Sequence, residues 1–216
     1  MADIFDEVSE ELKQDQLKQI WNKYSKYIIS VAFILFISVL GYFFYDKWRL
    51  EKIEVSSSQF FSGIEKLEKK EFLSSIEIFS KNVDQAHQGY KTLSLFGIAE
   101  ANFKIGKVDE MILNYKSIYE NQNIDVYYRD LARLLSVMKD NVSSFEIQKK
   151  ILDPILNSPS KLQLLAAELE IMLLIRFNKI DEAKLSISKL LKRPDITFEQ
   201  KNRLDLIDKV YNSNAK

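Results

Sequence analysis

The chain has 216 residues, with 31 Lys and Arg against 31 Asp and Glu, no Cys, one His, five Gly and three Pro. Without Cys there is no disulfide, thiolate metal site or thiol nucleophile, and a zero net charge does not suggest a nucleic-acid binder, which would show a concentrated basic face. So few helix breakers also exclude a turn-rich β fold and predict an all-α chain.

The charge is unevenly spread. Residues 1–46 hold four Lys and seven acids, and residues 47–216 hold 27 basic and 24 acidic residues. The segment 1–26 reads as an amphipathic helix, because Ile4, Phe5, Val8, Leu12, Leu17, Ile20, Trp21 and Tyr24 recur at three- and four-residue spacing. It is suited to lipid or to a partner's cytoplasmic face, or it simply continues into the next segment. That segment organises the chain. Tyr27–Tyr45 is 19 residues without a charge, bounded by Lys26 and Asp46. As a helix it reaches about 28 Å, the thickness of a bilayer's hydrocarbon core. Trp21, Tyr24 and Tyr27 lie at one edge and Tyr42, Tyr45 and Trp48 at the other, where amphipathic rings prefer the headgroups. The acidic leader and the absence of a small-x-small cleavage site predict an uncleaved signal anchor over 27–46. Four Lys before the span and Lys47, Arg49 and Lys52 after it barely bias its orientation; a short leader favours N-terminus inside.

Residues 47–58 read as a charged helical stalk, and residues 59–216 as helix after helix. Turns fall at Lys69-Lys70-Glu71, Ile105-Gly106-Lys107, Asp140-Asn141 and Asn178-Lys179. Their separations are about 36, 34–35 and 37–38 residues, the period of two-helix solenoid repeats. Thr197 followed by Gln200 is a capping box opening a closing helix, Thr197–Asn212.

The second unit, Leu93–Asn123, resembles the tetratricopeptide repeat: Ala99, Phe103, Gly106 and Tyr115 stand at its pattern positions, with Met111 where Ala is usual. The fourth unit matches at Asn178, at Asp181-Glu182-Ala183 and at Pro194, and the first at Phe72, Ser75 and Phe79. The third, Tyr127–Leu156, rests on spacing. The expected architecture is one transmembrane helix followed by a tetratricopeptide-repeat-like α-solenoid with a C-terminal capping helix.

The opening MADIFDEVSEELKQDQLKQIWNKYSKYIIS, followed by one anchor and a short repeat domain, resembles the YfgM-like family of bacterial inner-membrane proteins, ancillary subunits of the Sec translocon. The resemblance implies a cytoplasmic N-terminus and a periplasmic repeat domain. It also implies association with the translocon and partnership with a membrane-anchored prolyl-isomerase-type chaperone.

Signatures of catalysis are missing. His87 alone makes no zinc site, Gly106-Lys107 lacks the spacing and following hydroxyl of a phosphate loop, and Glu168 and Glu170 diverge on their helix. No enzyme activity, cofactor or metal is expected. Lys149-Lys150 and Lys192-Arg193 read as solvated faces, and Tyr115, Tyr119, Met172 and Ile175 as core. The expected function is binding, as a chaperone-like accessory of export. By the repeat pattern, Phe96, Glu100, Phe103 and Lys104 of the second unit and Met172 and Arg176 of the fourth face the groove of the solenoid. The alternative is a structural scaffold that assembles with copies of itself; the span shows no small-residue dimer motif around Gly41.

Overall fold

Apolar periodicity becomes helix along the whole of the computed structural model, which describes residues 2–86 and 88–213, with side chains for 17–27, 29–86 and 88–211. The readings of His87 and of Ile4, Phe5, Val8 and Leu12 lie outside the described side chains. The described residues form α1 (Ala2–Glu68), α2 (Phe72–Gln85), α3 (Gln88–Lys104), α4 (Val108–Tyr119), α5 (Val126–Lys139), α6 (Phe145–Leu156), α7 (Gln163–Arg176), α8 (Ile180–Leu191) and α9 (Phe198–Ser213). The chain divides into two compact bodies, 1–54 and 55–216.

The first body is the greater part of α1. From Ile29 onward this helix carries an 18-residue window of mean hydropathy 1.9 with none of it buried, so it is long and apolar enough to cross a membrane. The two serine hydroxyls in the apolar stretch are satisfied within the helix: Ser30 Oγ donates to Lys26 O at 2.8 Å and Ser38 Oγ to Ile34 O at 2.9 Å. At its edges Lys23 lies over the Tyr24 ring at 5.4 Å and Lys52 over the Trp48 ring at 4.3 Å.

The second body is a stack of helix pairs. Residues 55–68 of α1 pair with α2, then α3 with α4, α5 with α6 and α7 with α8; α9 closes the stack. Each second helix buries a face at i, i+4 and i+7. These triplets are Ser75/Phe79/Asn82, Met111/Tyr115/Ile118, Gln148/Leu152/Ile155 and Ala183/Ile187/Leu190. The first members are spaced by 36, 37 and 35 residues. Each full burial of a large apolar side chain stabilises by about 1.5–3 kcal/mol, and a single pair of helices has no surface to bury it against.

The turns within pairs repeat too. Lys70, Gly106 and Asn178 have φ of 61°, 79° and 58°. Behind each, the chain closes on its own helix: Glu71 N–H donates to Lys66 O at 2.9 Å, Lys107 to Asn102 at 2.9 Å and Lys179 to Leu174 at 2.8 Å. This is the helix stop that needs a left-handed residue, and Asn178 fills it where glycine is usual. The third pair lacks such a residue among those described. Its turn runs from Asp140 to Ser144, and Asp140 Oδ1 accepts from the N–H groups of Val142 and Ser143, both at 2.9 Å.

Packing between pairs centres on Phe79. Its fully buried ring lies between Gly63 of α1 and Gly97 of α3, and a Cβ on either glycine would stand 2.5 Å from a ring carbon. Phe60 meets the same ring at a centroid distance of 5.7 Å, as Phe96 meets Tyr115 at 6.0 Å one unit later. Ser75 Oγ donates to Gly63 O at 2.9 Å, and Asn82 Nδ2 to Ser56 O at 3.1 Å and Ser94 Oγ at 3.0 Å. Counted from the end of the first helix in each pair, Gly97, Ala132 and Leu169 share one position, which the preceding pair covers. In the first pair that position is Phe61, 62% exposed beside the exposed Ser58, Ser62 and Glu65, so the stack begins there.

At the other end α9 buries Leu204 against Ile171, Ile187 and Leu190. Its capping box forms as read: Thr197 N–H donates to Gln200 Oε1 at 3.1 Å, and Gln200 N–H to Thr197 Oγ1 at 3.2 Å. Two expectations are corrected. Met172 is exposed rather than core, because α7 turns Leu169, Leu173 and Leu174 inward instead. Arg193 is half-buried rather than solvated, holding Asp195 at 2.7 Å and Gln163 Oε1 at 3.0 Å.

Phe79→Ala is expected to lower stability by about 3–5 kcal/mol in thermal or denaturant unfolding of the chain. Gly97→Ala is expected to cost about 1–3 kcal/mol despite the better helix former, because the ring cannot retreat. Gly89→Ala, with open space around it, should be neutral or gain up to about 1 kcal/mol. Lys70→Gly, at a left-handed position, should gain about 1 kcal/mol.

Candidate protein-interaction surface

Repeating first helices set equivalent residues in rows. The last residues of α3, α5 and α7 are Lys104, Lys139 and Arg176, a cation at each helix C-terminus where the carbonyl end favours positive charge. Four residues earlier stand Glu100, Leu135 and Met172; eleven earlier stand Leu93, Tyr128 and Leu165. Met172 is 46% exposed, Leu165 47% and Tyr128 39%, so this face offers apolar side chains between charged ones.

The structure brings three of the sequence-predicted residues together. Glu100 lies 3.6 Å from Lys104 Nζ and is also bonded by Lys139 Nζ, whose ammonium sits 4.8 Å from the centre of the Phe103 ring. One carboxylate thus holds two cations and ties α3 to α5. Phe96 is half-buried against Tyr115, and Phe103 is half-buried on the same core. Met172 is not in that group. Arg176 reaches back from α7, donating from Nη1 to Asp140 O at 2.8 Å and to Gln148 Oε1 at 3.3 Å. Lys139 is the residue that sequence reasoning missed. Its signal was the interval of 35 residues after Lys104 and 37 before Arg176, hidden because the third pair has the irregular turn.

Glu100 also acts on the core. Burial, and then the nearby Glu100 charge, push the Tyr115 hydroxyl well above the ordinary tyrosine range. Burial likewise raises Tyr119 and holds the Arg133 guanidinium below its usual value; that group lies over the Tyr119 ring at 5.1 Å and 3.4 Å from Asp130. Near this pair, the first turn of α5 and the Ser158–Lys161 loop enclose a cleft of about 580 Å³ lined by Val126, Tyr127, Asp130 and Pro159. Among the described residues there is no group of three or more His, Cys, Asp or Glu able to hold a metal ion.

An all-helical stack of pairs with a mixed apolar and charged row along its first helices is an α-solenoid, a class whose extended surfaces serve protein–protein interaction. Residues 18–186 match the tetratricopeptide repeat-like domain family, and the chain belongs to that family. No curated protein matches the chain, and no solved structure does.

The raised Tyr115 pKa gives a signed prediction. A group whose folded pKa exceeds its unfolded value, near 10, contributes stability below that value and loses it as pH rises toward the folded pKa. Tyrosinate absorbance should therefore show this ring ionising only with unfolding at alkaline pH. Tyr115→Phe should flatten the alkaline fall in stability.

Proposed function

We propose that the protein is a membrane-anchored scaffold of the protein-export machinery, a chaperone-like accessory of the Sec translocon that holds partner or exported polypeptides along its repeat groove. The observation that carries the reading is the extent of the family match. It begins at Lys18, ahead of the apolar stretch, and runs to Ser186 within the fourth helix pair, so it takes in the apolar stretch together with the repeats. The order of parts agrees with the resemblance to the YfgM-like inner-membrane proteins. In this reading residues 1–26 are cytoplasmic, 27–46 cross the inner membrane, 47–58 form the stalk, and 59–216 are the periplasmic repeat domain. The translocon and a prolyl-isomerase-type chaperone are the partners, with the bilayer around the anchor. The protein works by binding rather than by catalysis.

The groove row Phe96, Glu100, Phe103, Lys104, Met172 and Arg176 would take extended or helical segments, with Met172 and Leu165 supplying adaptable apolar contact. Anchoring in one bilayer raises the effective concentration of membrane partners, so weak groove contacts suffice.

Two measurements test this. A reporter active only in the periplasm, fused after Lys216, should be active; activity of a cytoplasm-only reporter instead would overturn the topology. A photocrosslinking residue at Met172 should capture translocon subunits or exported chains in living cells, and one at the outward-facing Leu113 should not. Equal capture from both positions, or from neither, would remove the groove from the mechanism.

A further inference from the structure

The first two helix pairs bury neutral Ser, Thr and Asn side chains, and the third pair adds buried carboxylates to such groups. Of the buried carboxylates, Asp130 and Asp140 stand near the two ends of α5. Arg129 Nε, Ser136 Oγ and Asp140 Oδ2 are buried without a hydrogen-bond partner, as are Gln59 Oε1 and Asn82 Oδ1 in the first pair. Gln148 occupies the place that Ser75, Met111 and Ala183 fill elsewhere, and its amide binds the turn instead, reaching Ser143 O at 2.9 Å. Pro154 lies inside α6 and removes one helical hydrogen bond. The pair also lacks the left-handed stop, and its turn is longer.

The core divides at the same place. Ala132 of α5 belongs to the cluster of Ala99, Met111, Tyr115 and Ile118. Leu134 and Val137 belong to that of Leu152, Ile155, Leu169 and Leu173. The interface after α5 is also less filled than the one before it. Nine residues before the helix end, α3 has Leu95 where α5 has Asp130. Fifteen before the end of the next first helix, the buried Ile124 of the earlier junction is replaced by the exposed Lys161. The cleft beside Asp130 lies where those two apolar side chains would meet.

We infer that the third pair is the hinge of the solenoid, with α5 and the Asp140–Ser144 turn forming a polar joint between pairs one and two and pair four. Opening the α2–α3 junction would bare the Phe79 ring. Opening on the cleft side here would present Asp130 and Ser160 to water, which replaces their hydrogen bond at little cost, while the Leu134, Val137, Leu152 and Leu173 cluster stays packed as the pivot. The turn is held by side chains, and a loop between packed elements is where a hinge absorbs its backbone change. The motion sets the distance between the groove residues of the second pair and those of the fourth. This inference rests on geometry and stands apart from the export reading.

Spin labels on exposed second-helix positions of the full chain in detergent test it. The distance distribution between residues 113 and 185, across the joint, should be broader than that between 73 and 113, which does not cross it. Amides of α5, α6 and the turn should exchange with deuterium at least about tenfold faster than those of α2–α4. The pair of changes Asp130→Leu and Lys161→Ile, copying Leu95 and Ile124, should narrow the first distribution and slow that exchange. Equal widths, or protection of α5–α6 equal to that of α2–α4, would overturn the hinge; so would no change in the double variant.

Discussion

The ring of Phe79 is the fixed point of the array. Two glycines face it from different helices, and neither tolerates a Cβ. The contact sets how closely α1 and α3 approach α2. Hydrogen bonds from Ser75 and Asn82 then lock the register of those three helices. Tyr115, Leu152 and Ile187 take the same place in later pairs and are likewise fully buried. A solenoid has no single centre, so each junction must supply its own fixed point, and this one does so with a ring held between two glycines.

Much of this was legible in the sequence, because repeats write their geometry as intervals. The left-handed stops at Gly106 and Asn178, the capping box at Thr197 and the burial of Tyr115 and Tyr119 follow from residue type and spacing. The third pair was legible only as a length. Gln148 in a small-residue position and Asp130 in an apolar one are polar substitutions that sequence pattern assigns to the surface. They are buried because each finds partners from a neighbouring pair: Arg176 for Gln148, Ser160 for Asp130. Such partnerships span about 30 residues and leave no local trace.

The surface row was partly legible for the same reason. Glu100, Phe103 and Lys104 fall within one helix turn or two, so their nearness follows from helical spacing. Lys139 joins them from the next pair. The role of Met172 depended on which face α7 turns inward, and a helix so rich in Leu and Ile does not declare that face in advance. Its Leu169, Leu173 and Leu174 win the core, and Met172 is left outside.

The sequential covering of one helix pair by the next also matters while the chain is being made. Each second helix is completed by the first helix of the following pair. As the polypeptide emerges from its N-terminus, Phe79 already has Gly63 on one side and waits 18 residues for Gly97 on the other. At that moment one aromatic face is open, and the rest is either shut or not yet synthesised. The array can therefore assemble in the order of translation, one closure at a time, without a stage at which the whole apolar core lies exposed. α9 closes the fourth pair after α8 has been made.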